Sequence, residues 1–332
     1  MQISFARRRA SDLRSTTSDM RDHDRLFKEL ISTFFIDFLQ LFFPEVSGYV
    51  EAGSVEFLDK EIFIDVTSGE RLEPDLVAKV RFKESPAFFI IHVENQAQAQ
   101  PSFGRRFFRY FARLHDKHDL PVYPIVVFSF DSPRKQQPDV YKVEFPNKVV
   151  MEFRYDVVQL NRLNWRDFTK KHSPVAAALM AKMDIAPRDR PKVKLECLRL
   201  LVTLRLNPAR MRLISGFVDA YLSLSPEERI EFESEVKGLP SEDKEEVMEI
   251  VTSWMEDGIK QGRREGKEEG LIKGTRDGIV DILQARFKKV PAAVQRKLKT
   301  IDDRKSLKAL LRQAATAGSL REFQRRLAAF GE

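Results

Sequence analysis

The chain has 332 residues, 42% of them hydrophobic and 32% charged, with a net charge of +7. This length and balance fit a globular protein with one large and at least one smaller unit, and exclude a fibrous repeat or a wholly disordered chain. The single cysteine, Cys197, excludes an intramolecular disulfide framework and a Cys-rich zinc site, and it suits a reducing compartment, with the cytoplasm as the expectation.

Residues 1–21 have no apolar period and are rich in Ser, Thr, Asp and Arg, which predicts a disordered arm. Arg7, Arg8 and Arg9 precede no apolar signal core, and no apolar run in the chain approaches the roughly 20 residues of a membrane helix. From Leu26 the pairs Leu26/Phe27, Leu30/Ile31, Phe34/Phe35, Phe38/Leu39 and Phe42/Phe43 recur every four residues, predicting a helix with one broad apolar stripe that closes before Pro44. Short strands are expected at Val55–Leu58, Ile62–Val66 and Leu76–Phe82. The run AFFIIHVENQ, Ala87 to Gln96, is apolar on both faces until His92 and predicts a buried strand.

A helix should start near Pro101, with Phe103, Phe107, Phe111 and Leu114 inward and Arg105, Arg106, Arg109 and Arg113 more outward. PVYPIVVFSF, Pro121 to Phe130, reads as another central strand. Strand, helix, strand implies a parallel connection and an α/β core. Two further strands, near 140–145 and 149–155, are expected to extend the sheet. Beyond about 157 the pattern turns helical, with segments at Val175–Met183, Val193–Leu206, Met211–Leu222 and Ser225–Val236, then a stretch to Trp254.

Glycines then recur at 258, 262, 266, 270, 274 and 278 among mostly charged residues. Each costs a helix about 0.8–1 kcal/mol relative to alanine, so this segment is either a solvated linker helix or a self-association helix whose glycines admit a close neighbour, a route to a homo-oligomer. Four more apolar segments, Ile279–Phe287, Val294–Ile301, Leu307–Ala315 and Leu320–Phe330, predict a small helical domain. The expected order is therefore an arm (1–21), an α/β domain (22–160), a helical region (161–257), a linker helix (258–278) and a small helical domain (279–332). The charge follows this order. Residues 1–190 carry 29 basic and 27 acidic side chains, 191–257 carry nine and fourteen, and 258–332 carry nineteen and nine. The C-terminal +10 is the first candidate for attraction to a polyanion.

No GxSxG, Walker A or GxGxxG is present, which sets aside common hydrolase, nucleotide and dinucleotide readings. Asp75 heads one strand in RLEPDLVAKV, and Glu94 lies near the end of the next. Alternation puts His92, Glu94 and Gln96 on one face, His92 as a core residue rather than a ligand, so Asp75 and Glu94 on adjacent strands are expected to meet. Two carboxylates and the backbone carbonyl after Glu94 suit Mg²⁺, which keeps several waters and binds phosphate oxygens.

PDLVAKV, HVENQ, the basic helix and PVYPIVVFS together resemble the PD-(D/E)xK nuclease superfamily, and more closely its Rpn-like branch of recombination-promoting, transposase-like nucleases. The opening motif HDRLFKEL (His23 to Leu30), YLSLSPEE in the middle helices, the glycine repeat and the last 50 or so residues extend the resemblance over most of the chain. It implies a mixed sheet flanked by helices and a Mg²⁺-dependent DNA endonuclease, with Mn²⁺ as a substitute. Asp75 and Glu94 match the metal-holding catalytic acids. Gln96 matches the position that is lysine in the wider superfamily and usually glutamine in this branch, where it would orient the water. Arg106 and Tyr110, one helical turn apart, match the residues facing the phosphate, and Arg109 adds a basic side chain beside them for DNA. Asp24 and Lys28 match support positions in the opening motif. The residues also leave open a catalytically weak DNA-binding or self-assembly module, and a scaffold in which the basic tail pairs with the acidic helical region.

Overall fold

A computed structural model describes residues 23–58, 63–64, 71–301 and 303–328, of which 63–64, 71–72, 241–243 and 253–269 are described by their backbone alone. The expected arm at 1–21 lies outside the described residues. The protein is α/β and divides into two compact units, Met1–Ile250 and Val251–Glu332.

The first apolar stripe folds as two helices rather than one, and it closes before Pro44 as expected. Helix α1 (23–33) gives way at Phe34, whose φ of −121° and ψ of 42° leave the helical region, to α2 (Phe35–Phe42). Phe43 departs in the same way, and Pro44 opens α3 (Pro44–Tyr49) at a first-turn position, where its missing N–H costs nothing. Phe27, Leu30, Ile31, Phe34, Phe35, Phe38 and Leu39 are all buried. At roughly 1.5–3 kcal/mol for each large apolar side chain removed from water, this stripe is a principal source of stability for the unit.

The central sheet has five strands in the order β1 (Glu56–Phe57), β4 (Leu76–Arg81), β5 (Phe88–Gln96), β6 (Val122–Phe128) and β9 (Asp156–Gln159). β4 runs antiparallel to β1 and β5, whereas β5–β6 and β6–β9 are parallel. β2 (Phe63–Ile64) and β3 (Arg71–Leu72) pair only with each other. The β5–β6 connection is α4 (Phe103–His118), which ends on Asp119 in the left-handed region. Phe103, Phe107, Tyr110 and Leu114 of α4 are buried, and the first three join Val126, Phe128, Phe153 and Tyr155 in one aromatic cluster.

The strands expected to extend the sheet do not. β7 (Val140–Phe145) and β8 (Lys148–Arg154) pair with each other as a separate hairpin with a bulge at Val143/Glu144, and β9 takes the sheet edge instead. The base of the hairpin packs on α4 through Tyr141 and Phe153, while Phe145, Val149 and Val150 near its tip are exposed. Gly104 permits this seat, since a Cβ there would stand 3.2 Å from Tyr141 Cβ and 3.4 Å from the Tyr155 hydroxyl.

Helices α5 (Pro174–Leu179), α6 (Arg190–Thr203), α7 (Pro208–Tyr221) and α8 (Pro226–Lys237) belong to the same unit as the sheet. α5 is buried along its whole length. The Phe27 ring meets Phe217 and Tyr221 of α7 at 5.0 and 5.5 Å, so these helices shelter α1. Ser173, Asn207 and Ser225 cap α5, α7 and α8, each followed by proline, and Ser225 completes a capping box with Glu228.

The segment from Ser241 to Phe287 is one continuous helix, α9, spanning the glycine repeat and the boundary between the units. A methyl group at Gly270 or Gly274 would meet nothing within 4 Å. In the second unit, the end of α9, α10 (Ala292–Lys299), α11 (Arg304–Thr316) and α12 (Leu320–Ala328) bury a cluster of Ile279, Leu283, Leu298, Leu307, Leu310 and Phe323. Among the described residues, no helix is long and apolar enough to cross a membrane.

Candidate active site at the end of strand β5

The β4–β5 register pairs Leu76 with Val93, which brings Asp75 opposite Glu94 at the end of the ladder. Each acid accepts a backbone hydrogen bond from the other strand: Asp75 N–H donates to Glu94 Oε2 at 3.2 Å, and Asn95 N–H to Asp75 Oδ2 at 2.8 Å. The sequence puts them there because Pro74 opens β4 and the apolar run of β5 carries Glu94 into the interior, 4% exposed.

Alternation along β5, with the pairings His92–Pro124, Glu94–Val126 and Gln96–Phe128, places all six residues on the face covered by α4. His92 is fully buried, its ring 5.0 Å from Phe107 and 5.7 Å from Tyr110, and its Nε2 stands 3.3 Å from Glu94 Oε2. Burial pushes its pKa down to about 3, so the imidazole is neutral near pH 7 and fits the role of Nε2–H donor to Glu94.

Arg106 spans the top of the site. Nη2 donates to Gln96 Oε1 at 2.5 Å and stands 3.6 Å from Glu94 Oε1, while Nη1 donates to Gln100 Oε1 at 2.8 Å. The Gln96 amide is engaged at both ends, its Nε2 donating to the Gln98 carbonyl at 2.5 Å. Gln96 therefore holds Arg106 over Glu94. Tyr110 is buried in the aromatic cluster against His92, and Arg109, one position before it, is partly exposed.

On the opposite face, Asp24, Phe27, Lys28 and Ile31 of α1 meet Asp75, Leu76, Val93 and Asn95 around a crevice of about 10 Å³, room for roughly one water-sized occupant. Both polar atoms of the Asn95 amide are buried without a hydrogen-bond partner.

Burial and the nearby Glu94 and Asp24 carboxylates push Asp75 well above the usual carboxylate range, against the Asn95 N–H and Lys28. Glu94 is raised to about 7 by burial, with Arg106, the Asp75 N–H and Lys28 pulling down and Asp24 pushing up. For both acids the leading cause is burial. Among the described residues, no group of three or more His, Cys, Asp or Glu side chains stands ready to hold a metal. Two carboxylates that burial makes costly to ionise fit Mg²⁺, which takes one or two carboxylates and completes its shell with water and phosphate.

The structure thus brings Asp75, Glu94, Gln96 and Arg106 together, sets Asp24 and Lys28 within electrostatic reach, and puts Tyr110 in the core beneath them. Sequence reasoning missed Gln100 and Asn95. Gln100 lies six residues before Arg106 in a loop and carried no periodic signal, whereas Asn95 was findable as a polar residue between Glu94 and Gln96 that alternation turns to the other face. No protein-family model matches the chain, and neither does any curated protein or solved structure.

Proposed function

We propose that the protein is a Mg²⁺-dependent DNA endonuclease that hydrolyses phosphodiester bonds at the β5 end of its sheet. The observation that carries this reading is the pairing of half-buried Asp75 with buried Glu94, both raised in pKa and faced by an arginine held in place by two amides. Burying two acids side by side is unfavourable unless something neutralises them, and a site that keeps them so is poised for a cation.

Asp75 and Glu94 would hold the ion. When bound, Mg²⁺, or Mn²⁺ in its place, would supply a Lewis acid that draws charge from the phosphate oxygens and activates water for in-line attack. His92 donates to Glu94 and keeps that carboxylate oriented. Gln96 and Gln100 fix the guanidinium plane of Arg106, whose second Nη1–H suits a charge-assisted contact with a phosphate. The first turn of α4 carries no acid, so its backbone N–H groups and Arg105 add positive character at the same end. Tyr110 supports Arg106 from the core, and Arg109 lies one turn along from Arg105 for DNA contact. Asp24 and Lys28 tune the acids from α1. The basic C-terminal helices would hold the duplex by phosphate contacts. Its resemblance to recombination-promoting nucleases supports a role in recombination or defence against foreign DNA, in the cytoplasm.

A second reading, a DNA-binding or self-assembly module of little catalytic power, is favoured by one observation: Gln96 carries no charge and its amide is already committed to Arg106 and Gln98. Nicking of supercoiled plasmid by wild type, Asp75→Ala and Glu94→Ala, with Mg²⁺, with Mn²⁺ and with chelator, separates the two. Metal-dependent nicking lost in both variants supports the endonuclease. Salt-sensitive binding without nicking by the wild type supports the module.

A further inference from the structure

The hairpin of β7 and β8 is covered at its base and open at its tip. Tyr141 and Phe153 seat the base on α4, whereas Val143, Phe145, Val149 and Val150 beyond it are exposed, Phe145 by 60%. A two-stranded hairpin is marginal in water unless a further strand or a helix covers it. Among the described residues β7 pairs with β8 alone, so its outer row of backbone N–H and C=O groups meets no other strand. The ladder steps from Val143–Met151 to Glu144–Val149 and skips Val150, which puts the bulge in β8 and leaves β7 regular. We infer that β7 pairs antiparallel with β7 of a second copy of this chain, joining two hairpins into one four-stranded sheet in the order β8, β7, β7, β8. The inference goes beyond the endonuclease reading and does not depend on it.

The sequence of β7 selects the register. In a two-fold antiparallel pair the residues face one another about a centre, and directly opposite side chains share a face of the sheet. Centring on Val143 sets Lys142 opposite Glu144 of the second copy and Tyr141 opposite its Phe145. Moving the centre one residue either way sets Lys142 on Lys142 or Glu144 on Glu144, which like-charge repulsion disfavours. Alternation places Tyr141, Val143 and Phe145 on one face and Lys142 and Glu144 on the other. On the charged face, Lys142 Nζ stands 2.7 Å from Glu152 of its own hairpin, and pairing would set it between that carboxylate and Glu144 of the second copy. On the apolar face, Val143 meets Val143, and the exposed Phe145 reaches a Tyr141 whose ring already lies 6.0 Å from Phe108 of α4. Nucleic acid fits this ribbon less well. Its two strands carry three basic and two acidic side chains, and two of the three basic ones, Lys142 and Arg154, already pair with Glu152.

The test is the mass of the full chain in solution, by sedimentation velocity over a dilution series, for wild type, Glu144→Lys, Lys142→Glu and an equimolar mixture of the two variants. The wild type is expected to dimerise. Either variant alone sets like charges opposite each other twice per dimer and should weaken dimerisation roughly tenfold or more. The mixture restores opposite charges at both positions, so a heterodimer should form where neither variant dimerises alone. Lys142→Glu also gives up the contact with Glu152, so recovery in the mixture, which damaged folding cannot produce, is the decisive reading. A wild type that stays monomeric at every concentration, a dimer that neither variant weakens, or a mixture no tighter than its components would each overturn the inference. Variants that change the fluorescence anisotropy of a labelled DNA duplex while leaving the mass unchanged would overturn it too, and would assign the ribbon to DNA.

Discussion

In strand β5, Glu94 and Gln96 are 4% and 5% exposed at the end of an apolar run, whereas in α10 to α12 the interior is Val294, Leu298, Leu307, Leu310 and Phe323, and residues such as Lys305, Lys308 and Arg312 remain in solvent. The two regions handle charge in opposite ways. A charge brought inside must find partners or shift its pKa, and the β5 site does both, through His92, Arg106, two backbone N–H groups and raised acid pKa values. A charge left in water costs little, acts over about a Debye length and is screened by salt. The first arrangement is suited to chemistry at one phosphate and the second to attraction along a polyanion.

The sharpest way to break this comparison is to remove an inner charge. Asp75→Ala is expected to lower metal-dependent plasmid nicking at least about a thousand-fold, more than about 4 kcal/mol of barrier, while binding to DNA in chelator persists. Loss of binding alongside cleavage would show that the inner acids also serve affinity. Next in size is the hydrophobic interior of the basic unit. Phe323→Ala should cost about 3–5 kcal/mol, seen by circular dichroism as early melting of the C-terminal helices ahead of the rest of the chain. One cooperative transition shifted as a whole would show that the two units unfold together.

The pH dependence of the metal-free protein isolates the inner charges. Glu94 stands at about 7 against an ordinary 4.5, so its contribution to stability is full below 4.5 and is lost as pH rises through 7. His92, at about 3 against 6.5, contributes above 6.5 and loses that contribution as pH falls toward 3. Glu94→Gln should therefore remove a decline of at most about 3 kcal/mol between pH 5 and 8 and leave the acid-side loss, as read from Tm against pH in chelator. The smallest effect belongs to the outer charges. Changing Lys305, Lys308 and Arg312 together to Gln should reduce the slope of log affinity against log salt by about 2 to 3 and leave the cleavage rate of the bound complex unchanged.

Much of the core was legible in the sequence because it depends on local period. The run from Ala87 to Gln96 spells a buried strand, the phenylalanines and arginines after Pro101 spell a two-sided helix, and alternation alone puts His92, Glu94 and Gln96 on one face. What escaped depends on pairing between distant residues. Val140 to Phe145 reads as a strand wherever it lies, and nothing local says that Lys148–Arg154, rather than β9, is its partner. The break at Phe34 was hidden because the apolar stripe continues through it. Within the site, the meeting of Asp75 with Glu94 followed from strand adjacency. The grip of Gln96 and Gln100 on Arg106 required the long side chain of a helix to reach back over the strand end, and no spacing encodes that.

The exchanged hydrogen bonds between Asp75, Glu94 and Asn95 also act as a proofreading device for the fold. A strand that slips by one residue turns every side chain to the other face, and the apolar residues on both sides of β5 would tolerate that exchange better than an alternating strand does. The acids would not. Out of register, Glu94 would lose the Asp75 N–H and Arg106 at once and keep only His92, which slips with it on the same strand. The same residues that make the site costly to bury therefore make misaligned strands costlier still, so selection for chemistry and selection for correct pairing act here on the same side chains.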